Sequence, residues 1–300
     1  MSTTKESIGF IGVGYMGQGM AGCILAKGFP LTIMGHRNRR PVEELKAAGA
    51  AEAATPREIA EKASIIFLCV TGSPQVEQVI NGPDGIAASA RPGTVIVDCS
   101  TSDPVSTIAL AERLAAIGLH LCDAPLGGTP AQAKLGQLST MIGADSAVFE
   151  RIRPVCAAWA QKIVHLGPVG DGHKMKLLNN FLSLGYGAIY AEALTLAQKV
   201  GITPQTFDSV ITGGRMECGF YQTFMKYVLE RDRDAHKFTL SNALKDVRYL
   251  ESLANAAGVP NPVGGAVKNV YAAAVASGKG EDYVPMLSDF VAAQSKVTLG

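Results

Sequence analysis

Long hydrophobic runs are missing from this chain of 300 residues. The longest purely apolar stretch, residues 270–276, has seven residues, whereas a helix that crosses a bilayer needs about twenty. The start, MSTTKES, has neither a basic beginning nor an apolar segment of signal-peptide length. A cytoplasmic protein without membrane partners is expected. Charge of one sign is missing as well: Lys and Arg number 27 against 26 Asp and Glu, for a net +1. That balance offers no electrostatic footprint for nucleic acid or an anionic surface, so small metabolites remain as partners. The six cysteines stand without any C-x-x-C spacing. They read as buried free thiols, and no metal site is expected. No internal repeat, low-complexity tract or flexible linker is evident.

What is there begins with a glycine loop. Residues 8–13, IGFIGV, form a short apolar run that meets GVGYMGQGMAGCILAKG, in which Gly12, Gly14 and Gly17 have the G-x-G-x-x-G spacing. Met16, Met20, Cys23 and Ile24 then recur at helical intervals until Lys27 and Gly28. Strand, glycine turn and helix follow in the order dinucleotide binding requires. Glycine allows the tight turn and the close backbone approach, and the free N–H groups of the helix face a pyrophosphate. The loop residues Gly12, Val13, Gly14, Tyr15, Met16 and Gly17 are therefore candidate cofactor contacts.

Acidic residues are absent between Glu6 and Glu43. A carboxylate at the end of the second strand normally accepts from a ribose 2′-hydroxyl and repels a 2′-phosphate. Here GHRNRR follows the strand-like residues 31–34, placing His36, Arg37, Arg39 and Arg40 near the ribose site. Guanidinium groups suit phosphate, so NADP is preferred over NAD. A solvated basic loop beside bound NAD is the alternative.

Strand-like segments at 65–70, 94–98, 119–124 and 163–166 alternate with helix starts at Thr55-Pro56, Ser73-Pro74 and Asp103-Pro104. The pattern predicts an α/β Rossmann domain, a doubly wound and mainly parallel sheet, over residues 1–168. Ligands of such sheets bind beyond the carboxyl ends of the strands. Val70, Thr71, Ser100, Thr101 and the turn at 125–129 become candidates. In that turn Gly127, Gly128 and Thr129 could cradle a carboxylate on successive N–H groups. Equally, Thr129 could simply cap the helix that Pro130 begins.

Residues 169–300 read as an all-helical domain opened by a long connecting helix. Leu177, Phe181, Leu184, Ala188, Ala191, Leu194 and Ala197 form one apolar stripe, thinned by Gly185 and Gly187 so that another backbone could come close. His173, Lys176 and Asn180 share a face on its first turns. Further helices are predicted from Thr203-Pro204, over 217–229, through Leu240, Leu244, Val247, Leu250 and Leu253, after Asn261-Pro262, and over 286–294. Phe220, Tyr221 and Phe224 could line a pocket, but such spacing more often marks core. Lys245-Asp246, taken alone, reads as a solvated pair.

Five ordered motifs, GFIGVGYMGQGMA, DCSTSDP, DAPLGGTPAQAKLGQL, GDGHKMKLLNN and LKDVRYL, resemble those of the β-hydroxyacid dehydrogenase family across nearly the whole chain. That family includes 3-hydroxyisobutyrate dehydrogenases and semialdehyde reductases, and its helical half is similar to that of 6-phosphogluconate dehydrogenase. The resemblance implies that Lys176 is the catalytic acid or base and that Asn180 holds substrate. It also implies that Thr101 lies beside the cofactor, Lys245 contacts the cofactor and Asp246 neighbours the active site. It implies a homodimer or homotetramer acting on a small hydroxy acid or semialdehyde. One departure is that Gly127-Gly128-Thr129 replaces the family's usual SGG turn. Loss of the serine hydroxyl makes room, and Gly128 lacks the arginine that suits sulfonates in some relatives, so a bulkier hydroxy acid or semialdehyde is expected. The alternatives are an imine reductase, which Lys176 counts against, and a non-catalytic cofactor-binding scaffold of the same fold.

Overall fold

In the computed structural model, residues 5–299 are described. The chain divides into two compact units, residues 1–176 and 177–300.

The first unit is built on β1 (Ile8–Ile11), α1 (Gly17–Ala26), β2 (Leu31–Met34), α2 (Arg40–Ala47), β3 (Ala51–Glu52), α3 (Pro56–Ala60) and β4 (Ile65–Leu68). It continues through α4 (Ser73–Asn81), β5 (Val95–Asp98), α5 (Pro104–Ala115), β6 (His120–Asp123) and β7 (Leu126–Gly127). It closes with α6 (Pro130–Lys134), β8 (Leu138–Gly143), α7 (Ser146–Cys156) and β9 (Ala160–Gly167). Six strands run parallel in the order β3-β2-β1-β4-β5-β6. This is the doubly wound arrangement, with the crevice lying where the order reverses between β1 and β4. Strands β1, β4 and β5 are buried along their whole length, as helices on both faces require. One core, with Phe10, Phe67 and Trp159, lies on one face of the sheet, and a second, with Ile59, Ile66 and Leu110, on the other.

The sheet extends further than the periodicity predicted. Strand β8 joins β6 and β7 antiparallel and β9 parallel. Its LSTMIG sequence is buried at alternate positions until the last two residues. That signal is too short to separate from the glycine turn before it. The basic run after β2 is also only partly loop: Arg40 opens α2, with Pro41 in the first turn, where a missing N–H costs nothing.

The second unit contains most of α8 (Asp171–Lys199), then α9 (Pro204–Ile211), α10 (Gly219–Glu230), α11 (Leu240–Ala256), α12 (Pro262–Ala274) and α13 (Leu287–Gln294). Side chains cap four of these starts: Thr203 accepts from the Thr206 N–H, Cys218 from Tyr221, Thr239 from Asn242 and Asn261 from Gly264. The predicted stripe on α8 is buried at Leu184, Ala188 and Ala191 against Leu240, Leu244, Val267 and Tyr271. At Gly187 the close neighbour is the Tyr271 hydroxyl, 2.9 Å from where a Cβ would stand, and not a second backbone. Tyr221 and Phe224 are core.

Within the first unit α1 and α6 touch at Gly19. A Cβ there would lie 2.6 Å from the backbone of Ala133 and Lys134, whereas one at Gly22 would meet only Leu45 at 3.9 Å. Alanine normally stabilises a helix over glycine by about 1 kcal/mol. Gly22→Ala should follow that rule, while Gly19→Ala should destabilise by about 1–3 kcal/mol. Urea midpoints of the two variants moving in the same direction would show that α1 and α6 are not packed this closely.

Candidate active site

The parallel strands bring their carboxyl ends to one edge of the sheet, and the candidate residues of the first unit gather there. After β1, Gly12 adopts φ +99°, and a Cβ on it would run into the Cys69 backbone after β4. A Cβ on Gly17 would meet the Gly12 carbonyl oxygen. Only glycine fits this crossing, and the turn leaves Tyr15 84% exposed at its tip. The Val70 N–H donates to the Ser100 hydroxyl at 3.0 Å, tying the β4 and β5 ends together. Thr71 is exposed and Thr101 half-buried beside them. A backbone concavity at a helix N-terminus on the switch point suits the pyrophosphate of a dinucleotide.

The arginines after β2, equivalent in the sequence reading, separate in the structure. Arg39 pairs with Glu43 at 2.9 Å and with Glu52 of β3 at 2.7 Å. Arg40 is held by Glu44 at 2.8 Å. Arg37 and His36 make no ion pair among the described residues, and Arg37 is exposed. Glu52 lies far enough along the chain that spacing alone could not pair it with Arg39.

At the end of β6 the buried Asp123 carboxylate accepts from Gly170 N–H and His173 N–H, each at 2.6 Å. It thereby satisfies donors that the start of α8 leaves open. Burial pushes the Asp123 carboxyl above its ordinary range, while the neighbouring His173 and those two N–H groups pull it back. Three residues later the Leu126 carbonyl accepts from Lys176 Nζ at 2.7 Å. The amine is thus held at the residue before Gly127. Asp123 was missed in the sequence reading. Its signal was a lone acidic residue inside a strand pattern, directly before the Ala-Pro that ends the strand.

In the turn itself the capping reading of Thr129 holds. Its side chain accepts from the Gln132 N–H at 3.3 Å, and its own N–H donates to Gln132 Oε1 at 2.9 Å. Gly128 adopts φ +126°, where a Cβ would crowd Leu138. A Cβ on Gly127 would stand 2.5 Å from the Ser139 hydroxyl, which donates to the Gly127 carbonyl at 3.3 Å.

In the second unit Asn180 is 7% exposed, and its amide donates to Asp246 Oδ2 at 2.7 Å. Lys245 Nζ lies 3.0 Å from Asp246 Oδ1 and 5.1 Å from the Tyr249 ring centre. Lys245-Asp246 is therefore not the solvated pair that residue types alone suggested. Asn179 stays exposed. The candidate residues divide as the chain does: Lys176 and the loops at the strand ends fall in the first unit, Asn180, Lys245 and Asp246 in the second.

Among the described residues no group of three or more His, Cys, Asp and Glu is arranged to hold a metal. Burial raises the Cys69 thiol to about 12 and those of Cys99 and Cys122 well above normal, so they stay unreactive. No helix among the described residues is long and apolar enough to cross a membrane.

Residues 7–167 match the family model described as the NAD binding domain of 6-phosphogluconate dehydrogenase. Residues 170–288 match that described as NAD-binding of NADP-dependent 3-hydroxyisobutyrate dehydrogenase. A 2-(hydroxymethyl)glutarate dehydrogenase of Eubacterium barkeri is 33% identical over 277 residues, covering 92% of this chain and 91% of the relative. A 3-sulfolactaldehyde reductase of Escherichia coli K12 is 31% identical over 275 residues, covering 91% and 92%. A solved structure named as 3-hydroxyisobutyrate dehydrogenase from Salmonella typhimurium superposes with TM-score 0.83 at 27% identity, covering 95% of this chain and all of the other.

Proposed function

The chain belongs to the β-hydroxyacid dehydrogenase family of NAD(P)-dependent oxidoreductases acting on CH–OH groups, and we propose that it interconverts a small β-hydroxy acid and its semialdehyde or keto acid with Lys176 as general acid and base. The observation that carries this reading is the hydrogen bond of 2.7 Å from Lys176 Nζ to the Leu126 carbonyl. It holds a transferable proton beside the Gly127–Gly128 turn, where a substrate carboxylate would rest on backbone. A nicotinamide cofactor held at the Gly12–Gly17 loop would supply or accept the hydride. As hydride reaches the carbonyl carbon, the Lys176 ammonium gives its proton to the carbonyl oxygen, forming the hydroxyl. In oxidation the neutral amine takes that proton back. Asn180 follows four residues later on the same helix, a spacing that puts both side chains on one face. Its amide is the group we assign to orienting the reacting oxygen, with Asp246 fixing the amide in turn.

Two relatives are named for a hydroxymethylglutarate and a sulfolactaldehyde. Such names support a substrate with an anionic group near the reacting carbon. Gly127 removes the family's usual serine hydroxyl, and Gly128 offers no cation for a sulfonate. A carboxylate is the anionic group we assign to this turn. Lys176→Ala should lower turnover about a hundredfold or more with cofactor affinity little changed. Turnover close to that of the parent enzyme would remove Lys176 from the mechanism.

NADP is the cofactor we favour, and Arg37 is the residue that would meet its 2′-phosphate. Arg39 is already committed to Glu43 and Glu52. Assays with NADPH and NADH side by side should favour NADPH, and Arg37→Ala should raise KM for NADPH about tenfold while leaving NADH unchanged. An enzyme that uses NADH better by a wide margin contradicts the assignment.

We also assign a second copy of the chain as partner. On α8, opposite the buried stripe, Leu182, Tyr186, Ile189, Ala193 and Leu196, with Val200 just past its end, recur at alternating spacings of four and three. Ile189 is 60% exposed, and Leu196 and Val200 each 65%. A helix apolar all round belongs inside a larger body, and a seam with this period suits packing against its own copy. Light scattering should report a dimer or tetramer, and Ile189→Glu should shift it toward monomer. A parent chain that is monomeric at micromolar concentration would end this reading.

A further inference from the structure

Beside the Gly127–Gly128 turn a cleft of about 630 Å³ opens over the last strands of the sheet, lined by both glycines with Gln132, Ser139, Gln161 and Lys162 among others. All of its lining residues belong to the first unit. One row of paired residues crosses β7, β8 and β9 there: Gly127 stands opposite Ser139, and Ser139 opposite Lys162. Paired residues on neighbouring strands share a face of the sheet. At the first step the Ser139 hydroxyl lies 2.5 Å from where a Cβ on Gly127 would stand, so the two do share a face. The second step depends on a bulge. Leu138 pairs with Ala160, and a regular ladder would put Gln161 opposite Ser139; the register shifts instead, and Lys162 takes that place. Bulges re-aim side chains in this way and are common next to active sites. Outward from the turn, the row carries no side chain, then a hydroxyl, then an ammonium.

We propose that this row is a second anion subsite, in which Lys162 and the Ser139 hydroxyl receive a carboxylate at the far end of the substrate, so that the chain acts on hydroxy dicarboxylic acids and their semialdehydes. The inference rests on the proposed hydroxy-acid chemistry, with the first carboxylate at the Gly127–Gly128 turn. Lys162 is exposed on β9 and makes no ion pair among the described residues. It is the one charged side chain among the described residues that line the cleft. The Ser139 hydroxyl is only lightly engaged, since its bond to the Gly127 carbonyl is 3.3 Å long, against about 2.8 Å for a full O–H···O bond. It can turn toward an incoming oxygen. Two strand spacings, about 10 Å, separate the backbones of residues 127 and 162. The flexible four-carbon stem of a lysine closes part of that gap, and a substrate arm of about two carbons spans the remainder. The missing side chain at residue 127 keeps the path clear, because a Cβ there would fill the space between the turn and the Ser139 hydroxyl.

The test compares three acids that share one reacting end. They are 2-(hydroxymethyl)glutarate, 2-(hydroxymethyl)pentanoate, whose arm is similar in length but uncharged, and 3-hydroxyisobutyrate, whose arm is a single methyl. With NADP, kcat/KM for the dicarboxylate should exceed that for the other two about tenfold or more, the worth of a hydrogen bond to a charged group. Lys162→Gln should remove most of that preference, with the loss falling on the dicarboxylate. Equal rates for the propyl and carboxylate arms, a preference that survives Lys162→Gln, or a loss shared alike by all three acids overturns the proposal. Calorimetry of glutarate and butyrate on the NADP-loaded Lys176→Ala variant needs no turnover and separates the subsite from the chemistry. Glutarate should bind about tenfold more tightly than butyrate, and adding Lys162→Gln should abolish the difference. Equal affinities before that second substitution overturn the subsite. If none of the three acids is oxidised, the hydroxy-acid chemistry fails and the glutarate measurement still decides the subsite. Near-normal turnover of Lys176→Ala with the dicarboxylate preference intact ends the acid and base role alone and supports the subsite.

Discussion

The first four N–H groups of a helix have no partner within it, and in α8 the burial of its start makes that a problem the fold must solve. The solution is a carboxylate at the end of a neighbouring strand. Asp123 takes two of the donors, from Gly170 and His173, and its own segment runs on to Leu126, whose carbonyl takes the Lys176 ammonium. The residues 123–126 therefore grip the helix at two levels. A buried carboxylate is costly unless fully bonded, and here the bonds that offset the cost belong to the segment that also holds the Lys176 amine. Helix capping and the placing of Lys176 are one contact network.

The same economy of space appears at the glycine loop. Gly12 and Gly17 are required because backbone crosses backbone there, after β1 and after β4. Gly19, two residues later, serves a different neighbour, the end of α6. Since α6 follows directly on the Gly127–Thr129 turn, the helix that opens at the first glycine loop also braces that turn. The two glycine turns are linked through a side chain that is absent.

Helix α8 is about 43 Å long on the usual rise, with 29 residues. Its buried stripe packs on α11 and α12, and its opposite face carries a second apolar seam. Few helices have two such faces unless both are covered. Lys176, Asn180 and the exposed apolar seam thus all belong to one helix.

Much of this was legible in the residues. Strand, glycine turn and helix at the start, the alternation that follows, the stripe on α8 and the shift to helices after residue 200 are all local patterns. Each is written by neighbours three or four apart, or two apart in a strand, and each is present in the folded chain. The Lys176 and Asn180 spacing is of the same kind. What spacing could not decide were pairings across long loops. That Arg39 is taken by Glu52, that β8 slots between β6 and β9, and that Asp246 is buried against Asn180 all depend on residues far apart in sequence. Least readable was the role of Asp123: an acidic residue in one strand and the N–H of a histidine fifty positions later acquire their meaning only when folding removes water from both. Local periodicity determined the elements; desolvation and long-range contact, which exist only in the packed molecule, decided which charges meet.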